Sequence, residues 1–386
     1  MARLREDNTW LRLAIMAATI PFILMSDSIL YRVIILTLVN EIVMYTYMYW
    51  STDRLVKFLR HILHSMVFMH WIKYPKFIIG DIEDPRSLGL PDTYNLYMYT
   101  PDKCKLGMWH CHSLNSIHSK SDSEQVGVHA FLYLHGNGGS GRNQPHRVRL
   151  CSTLRQIYPD HHVFALDYRG FGDSTGTPTE DGLVLDAMTA YKFILEMFSE
   201  KNVHITVWGQ SLGTGVATKL CRQISEDTTM SKSLKCLVLD VPFTDIVSGA
   251  STYHCLKYIT MMLGKDFVQR LIKRMLGPDI LFDTKTHIGY VRCPIVILHG
   301  KKDNIIPADN SIELYNSLLG DIDDSLKCYK PTARDINYTS FNSYQAFGKI
   351  NNNSITLCMF PKGTHNDLNT FEHTHIFIKV VLNKND

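Results

Sequence analysis

The stretch VHITVWGQSLGTGVAT, residues 203–218, decides the fold class, because an apolar strand pattern runs directly into a helix pattern across a single serine. Its centre, GQSLG at 209–213, is a G-x-S-x-G sequence, and in this setting it predicts a sharp turn that exposes the serine hydroxyl. We therefore predict that Ser211 is a catalytic nucleophile. The backbone N–H of Leu212, at the N-terminus of the following helix, is predicted to donate to a developing oxyanion.

Outward from this turn, short apolar runs alternate with longer amphipathic stretches. The apolar runs lie at 128–134, 162–167, 203–208, 236–241, 294–299 and 355–360. An antiparallel strand pair is predicted ahead of them, NLYMY and KLGMWHCH, around the turn at 100–103. Alternation of apolar strands with helices predicts a mostly parallel central sheet flanked by helices. Residues that bind or react with a ligand are then expected at the carboxyl ends of the strands.

A serine nucleophile needs a base and an acid that orients the base, and in this architecture the chain order is serine, acid, histidine. Asp303 lies just past the end of an apolar run and is the predicted acid, with Asp309 as a weaker rival. His365 follows the last apolar run and is the predicted base. His373 and His375 come soon after it, in a segment with a helical pattern.

The second oxyanion donor should come from the end of an earlier strand, where the sequence LHGNGG occupies 134–139. Its glycines allow the backbone to approach a substrate carbonyl. We assign the backbone N–H of Asn137 to the oxyanion hole, with Gly138 as the alternative. A phosphate-binding loop is excluded because the chain has no G-x-x-x-x-G-K-[ST] sequence.

Composition excludes several other classes of protein. The net charge of +3 is too small for a nucleic-acid-binding protein, and no repeat of 20–50 residues indicates a solenoid or a propeller. The nine cysteines are scattered and none forms C-x-x-C, so no metal site and no cofactor are predicted.

The first 74 residues are predicted to form a membrane anchor and an amphipathic linker. Apolar runs occupy 13–26 and 33–52, and the second reaches the roughly 20 residues that a membrane helix needs, with Glu41 as its one charge. Residues 54–79 are amphipathic and rich in aromatic residues, which fits a helix at a membrane surface and equally fits a first helix packed on the core. A cleaved signal peptide and a buried soluble helix remain alternatives for the apolar runs.

Residues 75–386 are predicted to form one catalytic domain with two insertions. The stretch 243–291 contains helical patterns and is interpreted as a small cap, and 319–354 is rich in Asn, Asp, Ser and Tyr and is interpreted as a flexible loop. That loop contains N-glycosylation sequons at Asn337 and Asn352.

These motifs together resemble those of the α/β-hydrolase superfamily, and most of all its lysophosphatidylserine and monoacylglycerol lipases. The motifs are LHGNGGS at 134–140, DYRGFGDSTGTPTEDG at 167–182, WGQSLGTGVAT at 208–218 and FPKGTHNDL at 360–368. The resemblance covers about 75–386 and implies the triad Ser211, Asp303 and His365. Gln210 departs from the group, which usually has His before the nucleophile.

The resemblance also implies what the protein does and where it does it. It implies an integral membrane serine hydrolase that faces the endoplasmic reticulum lumen and cleaves acyl esters of lysophospholipids or monoacylglycerols. Its partners would be a lipid with an acyl chain and the membrane, with no nucleic acid and no cofactor. An S-acyl-protein thioesterase or a peptidase of the same fold would have the same triad and remains an alternative. A non-catalytic scaffold is disfavoured because no member of the triad is lost.

Overall fold

The computed structural model falls into two compact units, Met1–Ile62 and Leu63–Asp386. The structure describes residues 54, 57, 60, 61, 64, 65, 67–115, 127–138, 141–199, 201–250, 264–276, 280–319, 344–350 and 353–383. In the first unit the few described residues are helical and exposed. The apolar runs at 13–26 and 33–52, and the anchor predicted from them, lie outside the described residues. Among the helices that are described, none has both the length and the apolar character of a membrane span.

A nine-stranded sheet forms the centre of the second unit, counted over the described residues. Its strands are β1 (Thr93–Tyr99), β2 (Lys105–Cys111), β3 (Val128–Leu134), β4 (His161–Leu166), β5 (Val203–Gln210), β6 (Leu234–Asp240), β7 (Ile295–Gly300), β8 (Tyr344–Ile350) and β9 (Asn353–Phe360). They are arranged in the order β1-β2-β4-β3-β5-β6-β7-β9-β8. The six strands from β4 to β9 in this order are parallel, and β1, β2 and β8 are antiparallel additions. The predicted mostly parallel sheet is confirmed.

Helices cover both faces of this sheet. Those described are α1 (Lys76–Ile79), α2 (Pro145–Ile157), α3 (Glu180–Met197), α4 (Leu212–Glu226), α5 (Ile246–Ala250), α6 (Lys265–Leu276), α7 (Thr284–Ile288), α8 (Asp309–Leu319) and α9 (Glu372–Asn383). Successive strand residues point to opposite faces, so Phe131 packs in one apolar cluster and Leu132 in the other. Because both faces are covered, the central strands read as almost continuous apolar runs.

The segment 319–354 is not wholly the loop that its composition predicted. Residues 344–350 form strand β8, which pairs antiparallel with β9 from Tyr344 opposite Met359 to Ile350 opposite Asn353. The sequence YQAFGKI contains three good strand formers, Tyr344, Phe347 and Ile350. The segment around them is so rich in polar residues that its overall composition resembles that of a loop. Asn337 and Asn352 lie outside the described residues.

Two other predictions concern the insertion 243–291 and the start of the catalytic domain. The insertion 243–291 contains α5, α6 and α7, which fits its helical patterns, and its role as a cap remains a proposal. The second compact unit begins at Leu63, whereas the sequence placed the start of the predicted catalytic domain at residue 75. The difference arises because Phe68 is fully buried in the apolar core of this unit.

Candidate active site

The backbone at Ser211 is strained in the way that a nucleophile turn requires. Its φ of 50° and ψ of −118° lie outside the regions that residues with a side chain usually occupy. The turn is also tight, because a Cβ at Gly213 would lie 2.0 Å from the carbonyl oxygen of Leu134. The Ser211 N–H donates to the backbone oxygen of Asp240 on the neighbouring strand (2.9 Å), which ties the turn to the sheet.

An unbroken line of hydrogen bonds joins the three residues that the sequence assigned to a triad. The Ser211 hydroxyl donates to Nε2 of His365 (3.1 Å), and Nδ1 of His365 donates to Oδ2 of Asp303 (2.7 Å). The ionised carboxylate of Asp303 can only accept, so Nδ1 of His365 carries the proton. In the neutral ring Nε2 is then the acceptor, and the Ser211 hydroxyl is the donor. The residues come from turns after β5, β7 and β9, so the carboxyl ends of three parallel strands meet here.

Asp303 is held as a buried carboxylate. Its side chain has no exposed surface, and its second oxygen accepts the backbone N–H groups of Ile305 (2.7 Å) and Ile306 (2.9 Å). Burial alone would raise the pKa of Asp303, but the hydrogen bond and charge of His365 and the two backbone donors lower it below its usual value. The carboxylate is therefore charged at neutral pH, as the orientation of an imidazolium requires.

The rival residues of the sequence lie elsewhere. Asp309 is exposed at the first turn of α8, where a carboxylate is favoured by the helix dipole. His373 and His375 are in α9, and Nε2 of His375 lies 2.7 Å from the backbone oxygen of Asn369. The structure thus brings Asp303 and His365, and none of these three, to Ser211.

The loop after β3 lies against Ser211, where a second oxyanion donor is predicted. A Cβ at Gly136 would come within 3.0 Å of the Ser211 Cβ, so the glycine permits this approach. The N–H of Gly138 is engaged by the side-chain oxygen of Asn137 (2.7 Å). This bond favours the N–H of Asn137 over that of Gly138 as the donor, and Leu212 follows Ser211 as the first residue of α4.

Arg147, to which the sequence assigned no role, binds the backbone of this loop. Its buried guanidinium donates to the backbone oxygens of Gly141 (2.8 Å), Gly136 (2.9 Å), Gly138 (2.9 Å) and Asn137 (3.3 Å). Burial lowers the pKa of Arg147, and its described partners are all carbonyl groups. By fixing where these carbonyls point, Arg147 also fixes the peptide N–H groups of the loop, so we assign it as a positioning residue.

We expect Arg147→Lys to lower kcat by about 10- to 100-fold and to change KM by less than about threefold. The lysine keeps the charge but has no planar fork to reach several carbonyls, so the oxyanion donors lose their alignment. Steady-state kinetics with a water-soluble ester measures this split, and thermal melting shows how much protein is folded. Arg149→Lys, an exposed position on the same helix, is the matched control. Equal kinetics for the two variants would contradict the positioning role.

Gln210, the residue at which the sequence departs from the group that it resembles, joins the two sides of the site. Its side-chain oxygen accepts the hydroxyl of Tyr133 (2.7 Å), and its amide nitrogen donates to Asn366 (3.4 Å), the residue after His365. Gln210 therefore links the strand before the oxyanion loop to the turn that carries the predicted base.

A second buried carboxyl group belongs to Asp240, the last residue of β6. Burial raises the pKa of Asp240 to about 7, the hydrogen bond from Trp208 opposes this shift, and the charges of Asp303 and Asp367 add to it. Near neutral pH this group is therefore only partly ionised.

Comparison with known proteins places this geometry in a family. A family model for the alpha/beta hydrolase fold matches residues 129–261. The lysophosphatidylserine lipase ABHD12 of Danio rerio is 31% identical over 276 residues, which cover 69% of each chain. The chain belongs to the α/β-hydrolase family. Human protein ABHD12B is also similar, at 30% identity over 66% of this chain and 69% of its own. Its membership of this family identifies the protein as a hydrolase, which confirms the prediction from the sequence.

Solved structures agree with the fold. The Pyrococcus furiosus esterase Pf2001 superposes with a TM-score of 0.51 at 20% identity, covering 78% of this chain and 92% of its own. An alpha-beta hydrolase from Vibrio vulnificus gives the same TM-score at 16% identity, over 80% of this chain and 95% of its own. At such identities the likeness concerns the fold alone.

Proposed function

We propose that the chain hydrolyses the acyl ester of a lysophospholipid of the lysophosphatidylserine type, through an acyl-enzyme on Ser211. The observation that carries the chemistry is the line of hydrogen bonds from Ser211 through His365 to Asp303. The observation that supports the substrate is the similarity to lysophosphatidylserine lipases at 31–33% identity. Monoacylglycerol, which offers the same ester without a charged head group, is the second proposed substrate.

The geometry supports a two-step mechanism. Ser211 Oγ attacks the acyl carbonyl while Nε2 of His365 takes its proton, and Asp303 stabilises the imidazolium that forms. The oxyanion accepts the N–H groups of Asn137 and Leu212. The imidazolium then protonates the leaving glycerol oxygen, and the acyl group stays on Ser211. Water, deprotonated by His365, attacks this ester and releases the fatty acid. No cofactor enters either step.

We also propose that this hydrolase works at a membrane surface, with its catalytic unit in the endoplasmic reticulum lumen. The segment 71–78 supports a membrane surface, since Trp71, Tyr74, Phe77 and Ile78 are exposed, Phe77 to 89%. Lys73 and Lys76 lie among them, and aromatic residues mixed with lysines are typical of membrane interfaces. The resemblance to the lipases and the two sequons support the lumenal location.

The substrate proposal predicts a preference that a paired assay measures. Purified protein should release fatty acid from lysophosphatidylserine and from a monoacylglycerol with the same acyl chain, in matched detergent micelles. We expect kcat/KM to be at least about tenfold higher for lysophosphatidylserine, which corresponds to one favourable head-group interaction of about 1.4 kcal/mol. Ser211→Ala protein supplies the background rate. Cleavage of an S-palmitoyl peptide with no release from either lipid would instead favour a thioesterase.

A further inference from the structure

A cluster of three histidines lies at the end of the sheet remote from Ser211. His110 and His112 stand at the carboxyl end of β2, and His162 stands at the start of β4. Because β2 runs antiparallel to β4, the end of one lies beside the start of the other. The triad follows the carboxyl ends of the parallel strands, so the three histidines play no part in the proposed hydrolysis.

The strand register places all three imidazoles on one face. His110 pairs with Phe164, and continuing the register two residues outward sets His112 opposite His162. Paired residues and residues two apart share a face of the sheet, so the three side chains converge. Their ring centroids confirm this, at 4.2 Å for His110 and His112 and 5.6 Å for His112 and His162.

Their nitrogen atoms lie at distances close to those of metal ligands. One ring nitrogen from each residue can be chosen so that all three lie within 4.8 Å of one another. Nε2 of His110 and Nδ1 of His162 are 2.9 Å apart. Two ligands on a tetrahedral zinc, with Zn–N bonds of 2.0–2.1 Å, are about 3.3 Å apart. Binding an ion would therefore move this pair apart by about 0.4 Å and close the wider pairs by up to about 1.5 Å.

The surroundings hold the cluster in place and leave one side accessible. The ring of His110 stacks on Phe164 at a centroid distance of 4.2 Å, and His110 and His162 are buried, whereas His112 is partly exposed. The nearby cation of Arg155 is paired with Asp92 (3.1 Å).

We propose that His110, His112 and His162 bind a divalent transition-metal ion, with Zn²⁺ as the ion that three imidazoles and an open fourth position suit best. The ion would tie the antiparallel strand β2 to the parallel sheet. The sequence predicted no metal site because its cysteines form no C-x-x-C and are scattered along the chain. Here His162 lies 50 residues along the chain from His112 and 52 from His110, and strand pairing brings the three together.

Zinc binding by the full-length protein, purified without a histidine tag and stripped with a chelator, tests this site. Competition with a coloured zinc indicator should give one equivalent bound to the wild type, with a higher melting temperature when zinc is present. His112→Phe keeps the aromatic packing and removes one ligand, so we expect the affinity to fall at least about 100-fold. His162→Gln should have the same effect.

The matched control comes from a second group of histidines on the opposite face of the sheet. His129 lies 4.9 Å from His161 and 5.0 Å from His204 between ring centroids, and His129→Gln should retain full zinc affinity. X-ray absorption of the zinc complex should show imidazole nitrogens, and in case His162→Gln does not fold, this spectrum and His112→Phe decide the matter. Failure of the wild type to bind one equivalent, or equal affinity in His112→Phe, would overturn the site.

Discussion

Ser211→Ala protein is expected to lose at least about 10⁵-fold in kcat/KM for ester substrates while it keeps its fold. The hydroxyl that attacks the carbonyl is gone, and the base and oxyanion donors that remain cannot form an acyl-enzyme. Alanine fills less space than serine in the strained turn and leaves the N–H bond from residue 211 to Asp240 in place. Initial rates of fatty-acid release, corrected for spontaneous hydrolysis, measure the loss.

The control is Ser152→Ala, a serine of α2 that lies outside the proposed site. It tests whether removal of any serine hydroxyl lowers activity through stability, so its rate should equal that of the wild type. A Ser211→Ala protein that retains more than about one per cent of the wild-type rate would show that another group is the nucleophile.

Asp303→Asn is expected to lower kcat by about 10³- to 10⁴-fold with little change in the structure around it. The asparagine oxygen still accepts the N–H groups of Ile305 and Ile306, so the turn is preserved. Its neutral amide, however, no longer stabilises an imidazolium and can hold His365 in the wrong tautomer. Stopped-flow or steady-state rates on an activated ester measure kcat, and circular dichroism checks the fold.

Asp309→Asn separates the two carboxylates that the sequence left as candidates. Asp309 is exposed at the start of α8, so its replacement should change kcat by less than about twofold. If Asp309→Asn were the damaging change and Asp303→Asn were harmless, the acid of the triad would be misassigned.

The three hydrogen-bonded residues of the proposed triad could be located from local patterns, because each lies within five residues after the end of an apolar strand. The chain order and the strand ends favoured Asp303 over Asp309 and His365 over its neighbours, and these are the residues that the structure places in hydrogen-bond contact in the line from Ser211. No long-range information was needed, since the carboxyl ends of parallel strands meet wherever the sheet forms.

The features that the sequence did not reveal depend on contacts between distant segments. Arg147 acts on backbone carbonyls, which leave no mark in the residue types around it. Strand β8 is formed by pairing with β9, and its own composition resembles that of a loop. The histidine cluster depends on the register of β2 against β4, and the spacing of residues along the chain does not predict that register.

The most direct test of the central claim is to locate the covalent adduct of a fluorophosphonate, which reacts with activated serines. After digestion, tandem mass spectrometry should place the adduct on Ser211 and on no other serine, and an excess of lysophosphatidylserine should slow its formation. An adduct on a different residue, or labelling of Ser211 that lysophosphatidylserine does not slow, would contradict the proposed nucleophile or the proposed substrate, respectively.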